Sequence, residues 1–341
     1  MIVHRRALLT GISATVFARS ARAAEVTDDA SRIVAVPDKV ERIFVAGPPA
    51  ATLLYTFAPE LLLGWTRKPE PAQCEFLGSG ACDKPEVGRL TGRGNTTDLE
   101  TLLKLKPDLI LDVGTINNTY VSLANQVQQQ AGIPYALLNG RFDACAETYR
   151  KLGALTHREA QGEEFARYAE RTIATIKSRI DRIPDAQRPR VYYGRGPSGL
   201  ETGQGGSINV ETIEFLGAHN VAGERKGGMA TVSLEQVLAW NPEVIITIEP
   251  ALAPSIKTDA AWAPIKAVQT GRVYLSPGLP FGWVDFPPSV NRLIGLWWLA
   301  KVLYPDQFPE DLRPIARDFF QRFYHISPTD TQIDTVLGTH A

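Results

Sequence analysis

The chain has 341 residues, with 36 Lys and Arg set against 37 Asp and Glu, a formal charge of −1. That balance excludes nucleic acid or an anionic membrane as the main partner. The length exceeds one comfortable hydrophobic core, so two lobes are expected.

Read from the N-terminus, Arg5-Arg6 precede an uncharged apolar run from Ala7 to Ala18, and Ala21-Arg22-Ala23 offers a small-x-small cleavage site before Ala24. This is the pattern of a secretory signal peptide over residues 1–23, too short and wrongly flanked to span a bilayer. The paired arginines admit the twin-arginine route as well as the general one. No Cys stands at the cleavage site to take a lipid, so a soluble periplasmic protein is the expected product. Residues 1–23 hold four arginines and no acid, leaving 32 bases against 37 acids, a charge of about −5. The strongest later apolar run, Leu293 to Val302, is interrupted by Lys301 and too short to span a membrane.

Strand-like apolar runs then alternate with helical patterns, the mark of parallel sheets with crossover helices. Ile43-Phe44-Val45-Ala46 runs into Gly47-Pro48-Pro49 and a helix through Leu53-Leu54-Tyr55, and Leu61–Trp65 reads as a second strand. Of three cysteines, Cys74 and Cys82 can close a short Gly/Ser-rich loop as a disulfide in an oxidising compartment, leaving Cys145 buried and inert. No CxxC pair or neighbouring His supports a metal site at the cysteines.

A gapless repeat follows. Asp98-Leu99-Glu100-Thr101-Leu102-Leu103-Lys104-Leu105-Lys106-Pro107-Asp108-Leu109-Ile110-Leu111-Asp112 aligns on Ser233-Leu234-Glu235-Gln236-Val237-Leu238-Ala239-Trp240-Asn241-Pro242-Glu243-Val244-Ile245-Ile246-Thr247, with five identities. Its spacing, about 135 residues, suits a duplicated lobe rather than a solenoid unit. Further strands are expected at Leu109–Leu111 and Tyr135–Leu138, and in the second half at Val191–Tyr193, Val244–Ile248 and Val273–Leu275. Between the halves, Thr156-His157-Arg158-Glu159 spells a capping box. Phe165, Ala169, Ile173, Ile176, Ile180 and Ile183 continue one helical face until Pro184. Some 26 residues make a rod of roughly 39 Å, which permits only a small closing movement of the lobes.

These features resemble the helix-linked (class III) periplasmic substrate-binding proteins of ABC importers, the group handling iron–siderophores, haem and cobalamin. The likeness rests on the paired Leu-Glu segments, the helix at Thr156–Ile183 and the closing Gly271-Arg272-Val273-Tyr274. It implies an α/β fold of two Rossmann-like lobes: signal peptide 1–23, first lobe 24–155, linker helix 156–184 and second lobe 185–341, with the ligand cleft between lobes. It also implies a monomer that delivers to a dimeric inner-membrane permease, whose arginines would pair with Glu100 and Glu235. The plain alternative is that both glutamates only cap helices at their positive ends.

Cleft residues should come from loops at the carboxyl ends of the strands. That selects Arg67, Arg93 and Tyr120 in the first lobe, and Tyr193, Arg195, Trp283 and Phe286 in the second. Arginines beside aromatic rings suit an anionic, partly flat ligand. The five histidines fall outside these loops, which disfavours a bare transition metal. No cofactor is called for. A ferric siderophore or similar metal chelate comes first, haem second (with Tyr120 or Tyr193 as axial ligand), and cobalamin or a molybdate-type oxyanion behind them.

Two motifs compete with this reading. Gly194-Arg195-Gly196-Pro197-Ser198-Gly199 spells a dinucleotide fingerprint, but that needs a helix opening within the loop, and the next helix is expected only near Asn209. An exported dinucleotide-dependent oxidoreductase is thus the second hypothesis, and a two-lobed docking protein without ligand traffic the third. Phe286-Pro287-Pro288 is an ordinary helix entry, with Asn291 and Arg292 anchoring the helix.

Overall fold

The computed structural model describes residues 24–92 and 94–338; the expected signal peptide and Arg93 lie outside the described residues. A hairpin of β1 (Ala24–Thr27) and β2 (Ile33–Val36) comes first. Then follow β3 (Ile43–Val45), α1 (Pro48–Phe57), α2 (Pro71–Cys74), α3 (Leu99–Leu105), β4 (Leu109–Gly114), α4 (Asn118–Ala131), β5 (Tyr135–Asn139) and α5 (Cys145–Leu155). The sheet order is β3-β4-β5, all parallel, with helical crossovers. The second half holds β6 (Arg190–Gly194), β7 (Glu201–Gly203), α7 (Glu211–Phe215), β8 (His219–Asn220), β9 (Met229–Thr231), α8 (Leu234–Trp240) and β10 (Val244–Thr247). α9 (Leu252–Thr258), α10 (Lys266–Gln269) and β11 (Val273–Leu275) complete that sheet region. Its parallel sheet runs β11-β10-β6-β8, with β7 and β9 forming a separate antiparallel pair.

The linker helix α6 (Glu159–Ile180) has 22 residues, so it spans roughly 33 Å rather than 39 Å. The expected capping box does not form. The Thr156 hydroxyl instead donates to the Leu152 carbonyl and closes α5, and His157 turns the chain with φ 57°. The reason is that α5 and α6 touch: a Cβ on Gly162 would lie 2.6 Å from the Tyr149 carbonyl. The expected apolar face is buried, with Ile173 at its flank. Gln161 donates to the Phe57 carbonyl of the first lobe, 2.6 Å. At the other end the Arg179 guanidinium lies over Trp297 and Phe308 of the second. The helix is thus fixed on both lobes.

Leu61–Trp65 is not a strand but two isolated bridges, Ile43 to Leu62 and Trp65 to Glu86. The chain changes partner at Gly64, where a Cβ would meet the Pro85 carbonyl at 2.5 Å. Cys74 is joined to Cys82 (Cα–Cα 6.0 Å). Cys145, half-buried at the start of α5, has its thiol pushed up to about 11 by burial.

The chain ends in α11 (Arg292–Leu303), α12 (Leu312–Phe319), a π turn at Phe320–Tyr324 and α13 (Asp330–Leu337). These last helices lean back on the first lobe: Phe320 packs on Phe76, Tyr324 on Tyr55, and Gln332 donates to the Glu75 carbonyl. One apolar cluster therefore runs through both lobes and α6, while each lobe keeps a smaller one on its outer side. No helix among the described residues is long and apolar enough to cross a membrane.

Candidate functional site

The carboxyl ends of β6 and the 283–286 loop meet around Asp285, which is fully buried. Its carboxylate accepts from the Tyr193 hydroxyl at 2.7 Å, the Arg195 guanidinium at 3.0 Å and the Asn209 amide at 2.9 Å. The Phe286 ring covers Arg195 with 5.0 Å from its centroid to the guanidinium carbon. Arg195 is thereby fixed in place, with its side chain still 11% exposed, and Phe286 is 60% exposed. Burial and the neighbouring Asp285 charge push the Tyr193 hydroxyl well above the usual tyrosine range.

Beside this group a second polar network spans the two lobes. Glu211 accepts from Arg292 (2.9 Å) and from the Phe142 amide (2.8 Å), and pairs with Arg141 (2.8 Å). Arg292, itself buried, also donates to the Gly140 carbonyl. Burial pushes the Glu211 carboxyl above the usual glutamate range, with Arg292 the main opposing influence. The network ties the end of β5 to α7 and α11. On the first-lobe side Asp112 lies buried within β4, accepting from Thr91 (3.1 Å) and Tyr135 (3.2 Å). Burial raises its carboxyl.

Of the expected cleft residues, the structure brings together Tyr193, Arg195 and Phe286 through Asp285. Trp283 has no exposed surface; its indole N–H donates to the Leu279 carbonyl and its ring packs on Phe320. It offers no face to a ligand. Tyr193 is equally buried and its hydroxyl is committed to Asp285, which leaves it no axial role toward haem. Tyr120 leans onto the outer core of the first lobe. Arg67, 74% exposed, pairs with Glu70. Asp285, Asn209, Glu211 and Arg141 were not selected from sequence, and Arg292 was read only as a helix anchor. Among the described residues, no group of three or more His, Cys, Asp or Glu is arranged to hold a metal ion.

The fingerprint loop after β6 does not open a helix. Arg195 and Glu201 exchange backbone hydrogen bonds, so the loop folds back as a tight hairpin. The Gly196 amide is taken by the Glu249 carboxylate at 3.0 Å, and the next helix begins at Glu211. A pyrophosphate would find no helix N-terminus there, and the Gly196 and Gly199 amides are already taken. The dinucleotide reading fails on this geometry.

The two repeat segments form matched structures. Glu100 and Glu235 are the second residues of the seven-residue helices α3 and α8, whose caps are the Asp98 and Ser233 side chains. Both helices end on a left-handed residue, Lys106 (φ 48°) and Asn241 (φ 43°), before a Pro. Both glutamates are exposed. Hydrogen bonds from its own amide and from Ser233 hold the Glu235 carboxyl below the usual range. The equivalence reaches further than the sequence alignment. Arg42, just before β3, donates to the Leu105 carbonyl at 2.7 Å, and Arg190, first in β6, donates to the Trp240 carbonyl at 2.7 Å. Each arginine satisfies an end carbonyl of the repeat helix.

The family model described as periplasmic binding protein matches residues 79–278, more than half the chain. The chain belongs to this family. The molybdate-binding protein MolA of Haemophilus influenzae is 26% identical to this periplasmic binding protein over 330 residues, covering 89% of this chain and 91% of its own. Among solved structures, an ABC transporter solute-binding protein of Sulfurospirillum deleyianum superposes with TM-score 0.83 at 27% identity, over 92% of this chain and 98% of that one. MolA with molybdate bound gives TM-score 0.72 at 25% identity, over 90% and 99%. The fold is that of the helix-linked class III binding proteins, the solute receptors of ABC importers.

Proposed function

We propose that this receptor captures a small tetrahedral oxyanion of the molybdate kind between its lobes and hands it, as a non-catalytic monomer, to a dimeric ABC permease docked on Glu100 and Glu235. The observation that carries the reading is Arg195, whose guanidinium is held rigid by Asp285 and by the Phe286 ring. A guanidinium fixed in advance loses little freedom on binding and presents further N–H donors to an oxyanion. The aromatic faces that a flat ligand would need, Trp283 and Tyr193, are buried. Similarity to MolA along nearly the whole chain supports the same choice. Residues 1–23 act as the export leader on the strength of their sequence alone.

A ferric chelate is the second reading, favoured by one observation: Phe286 presents an open ring at the same place. Calorimetric titration separates the two. Molybdate should bind with Kd below about 10 μM, roughly −7 kcal/mol. A ferric siderophore, haem and cobalamin should give no heat at that concentration. Binding of one of these three, with molybdate silent, reverses the assignment.

A further inference from the structure

Arg195 meets two conditions: a buried carboxylate holds its guanidinium from behind, and part of its side chain stays open. Other arginines meet only the first. Arg32 rests on the buried Asp28, but its remaining nitrogens go to Asn125 and to the Tyr135 carbonyl. Tyr135 is the first residue of β5, whereas the cleft lies at the carboxyl ends of the strands. Arg292 rests on Glu211 and is itself buried.

Arg141 meets both, from the other lobe. It follows the carboxyl end of β5, and its guanidinium reaches across to pair with Glu211 at 2.8 Å. The Glu211 side chain is 6% exposed and that of Arg141 is 43% exposed. The fold does not call for this second arginine. Glu211 already accepts from Arg292 and from the Phe142 amide, and an ion pair as open as that of Arg141 adds little stability.

Arg141 and Arg195 are also tied to one short stretch of chain. The Gly206 carbonyl accepts from Arg141 at 3.2 Å. Three residues on, Asn209 donates to Asp285, which holds Arg195. A guanidinium carries five N–H groups, and Gly206 and Glu211 engage only its two terminal nitrogens. The other carboxylate near it, Asp143, is 3.9 Å from Nε, beyond hydrogen-bonding reach. Donors therefore remain for a ligand.

We infer that Arg141 is the first lobe's ligand for the bound oxyanion, which lies between one guanidinium from each lobe. The assignment rests on the oxyanion reading proposed for Arg195. It makes the anion a link between the lobes, and it sets a charge preference. Coulomb attraction scales with the product of the charges, so each arginine contributes about twice as much to a dianion as to a monoanion of the same shape.

Calorimetric titration with molybdate and perrhenate tests this, because both are tetrahedral oxyanions and they carry two charges and one. The wild type should bind molybdate about tenfold or more tighter than perrhenate. R141M should weaken molybdate about thirtyfold and perrhenate only about fivefold, with a denaturant midpoint close to that of the wild type. R141K, which keeps the charge without the fork, should recover most of the preference for the dianion. Unchanged molybdate affinity in R141M, with R195M impaired, overturns the role of Arg141 and leaves the oxyanion reading standing. Equal losses for both anions in R141M also overturn it, since they mark an arginine that only shapes the lobes. A wild type that binds neither anion but does bind a ferric siderophore removes the oxyanion reading itself.

Discussion

Replacing Glu211 with alanine should destabilise the folded protein by about 3–5 kcal/mol, because it strips the partner from a buried guanidinium. Arg292 is 4% exposed and would keep only backbone carbonyls. The Phe142 amide would lose its acceptor and Arg141 its ion pair. Glu211→Gln should cost less, since the amide oxygen still accepts from Phe142 or Arg292. The double variant Glu211→Met, Arg292→Met should lose less than the two single changes summed, because no charge is left buried. Denaturant midpoints of the wild type, Glu211→Ala, Glu211→Gln, the two single Met variants and their double variant measure this, and a loss under about 1 kcal/mol in Glu211→Ala would remove the network's structural role. The same change should weaken ligand capture. With the bracket between Gly140, Glu211 and Arg292 gone, fewer molecules hold the lobes at binding distance, and apparent affinity falls in proportion.

Reversing both of the charges proposed to dock, Glu100→Arg with Glu235→Arg, should abolish uptake while leaving ligand binding unchanged and thermal stability little changed. Both side chains are exposed at the heads of their helices, so their removal disturbs no core. Each reversal replaces attraction by repulsion at the permease surface, and like charges facing across an interface cost several kcal/mol. The two lobes are not equivalent. Glu100 already pairs with Lys104 at 2.6 Å, whereas the matching position beside Glu235 is Ala239. Glu235→Arg alone should therefore impair uptake more than Glu100→Arg alone. Uptake by cells carrying each variant measures this, and normal transport in the double variant contradicts docking through these residues.

The architecture was legible where the signal is local. Gapless alignment of 98–112 with 233–247 located the duplicated helix–strand unit, and a 3.6-residue apolar period located the linker helix. Thr156 misleads because the same Thr-x-x-Glu spelling also occurs where one helix ends, here at Leu155, and the next begins only at Glu159. The site was harder to read. A strand in a parallel sheet is apolar on both faces, so Tyr193 at the end of β6 could not be told from a cleft residue. The partners of Glu211 lie 69 and 81 residues away, Phe142 and Arg292, and nothing in the spacing links them. Arg42 and Arg190 escaped notice because the chain between each of them and its repeat helix differs in length. A basic residue at the start of the first parallel strand of each lobe, just before β3 and first in β6, was the available signal.

The most direct measurement of the central claim is anomalous X-ray scattering at the molybdenum edge from crystals grown with molybdate. One molybdenum peak is expected between the lobes, within hydrogen-bonding reach of the Arg195 side chain, and absent from crystals of Arg195→Met. A peak elsewhere, or one that persists unchanged in Arg195→Met, would contradict the oxyanion site described above.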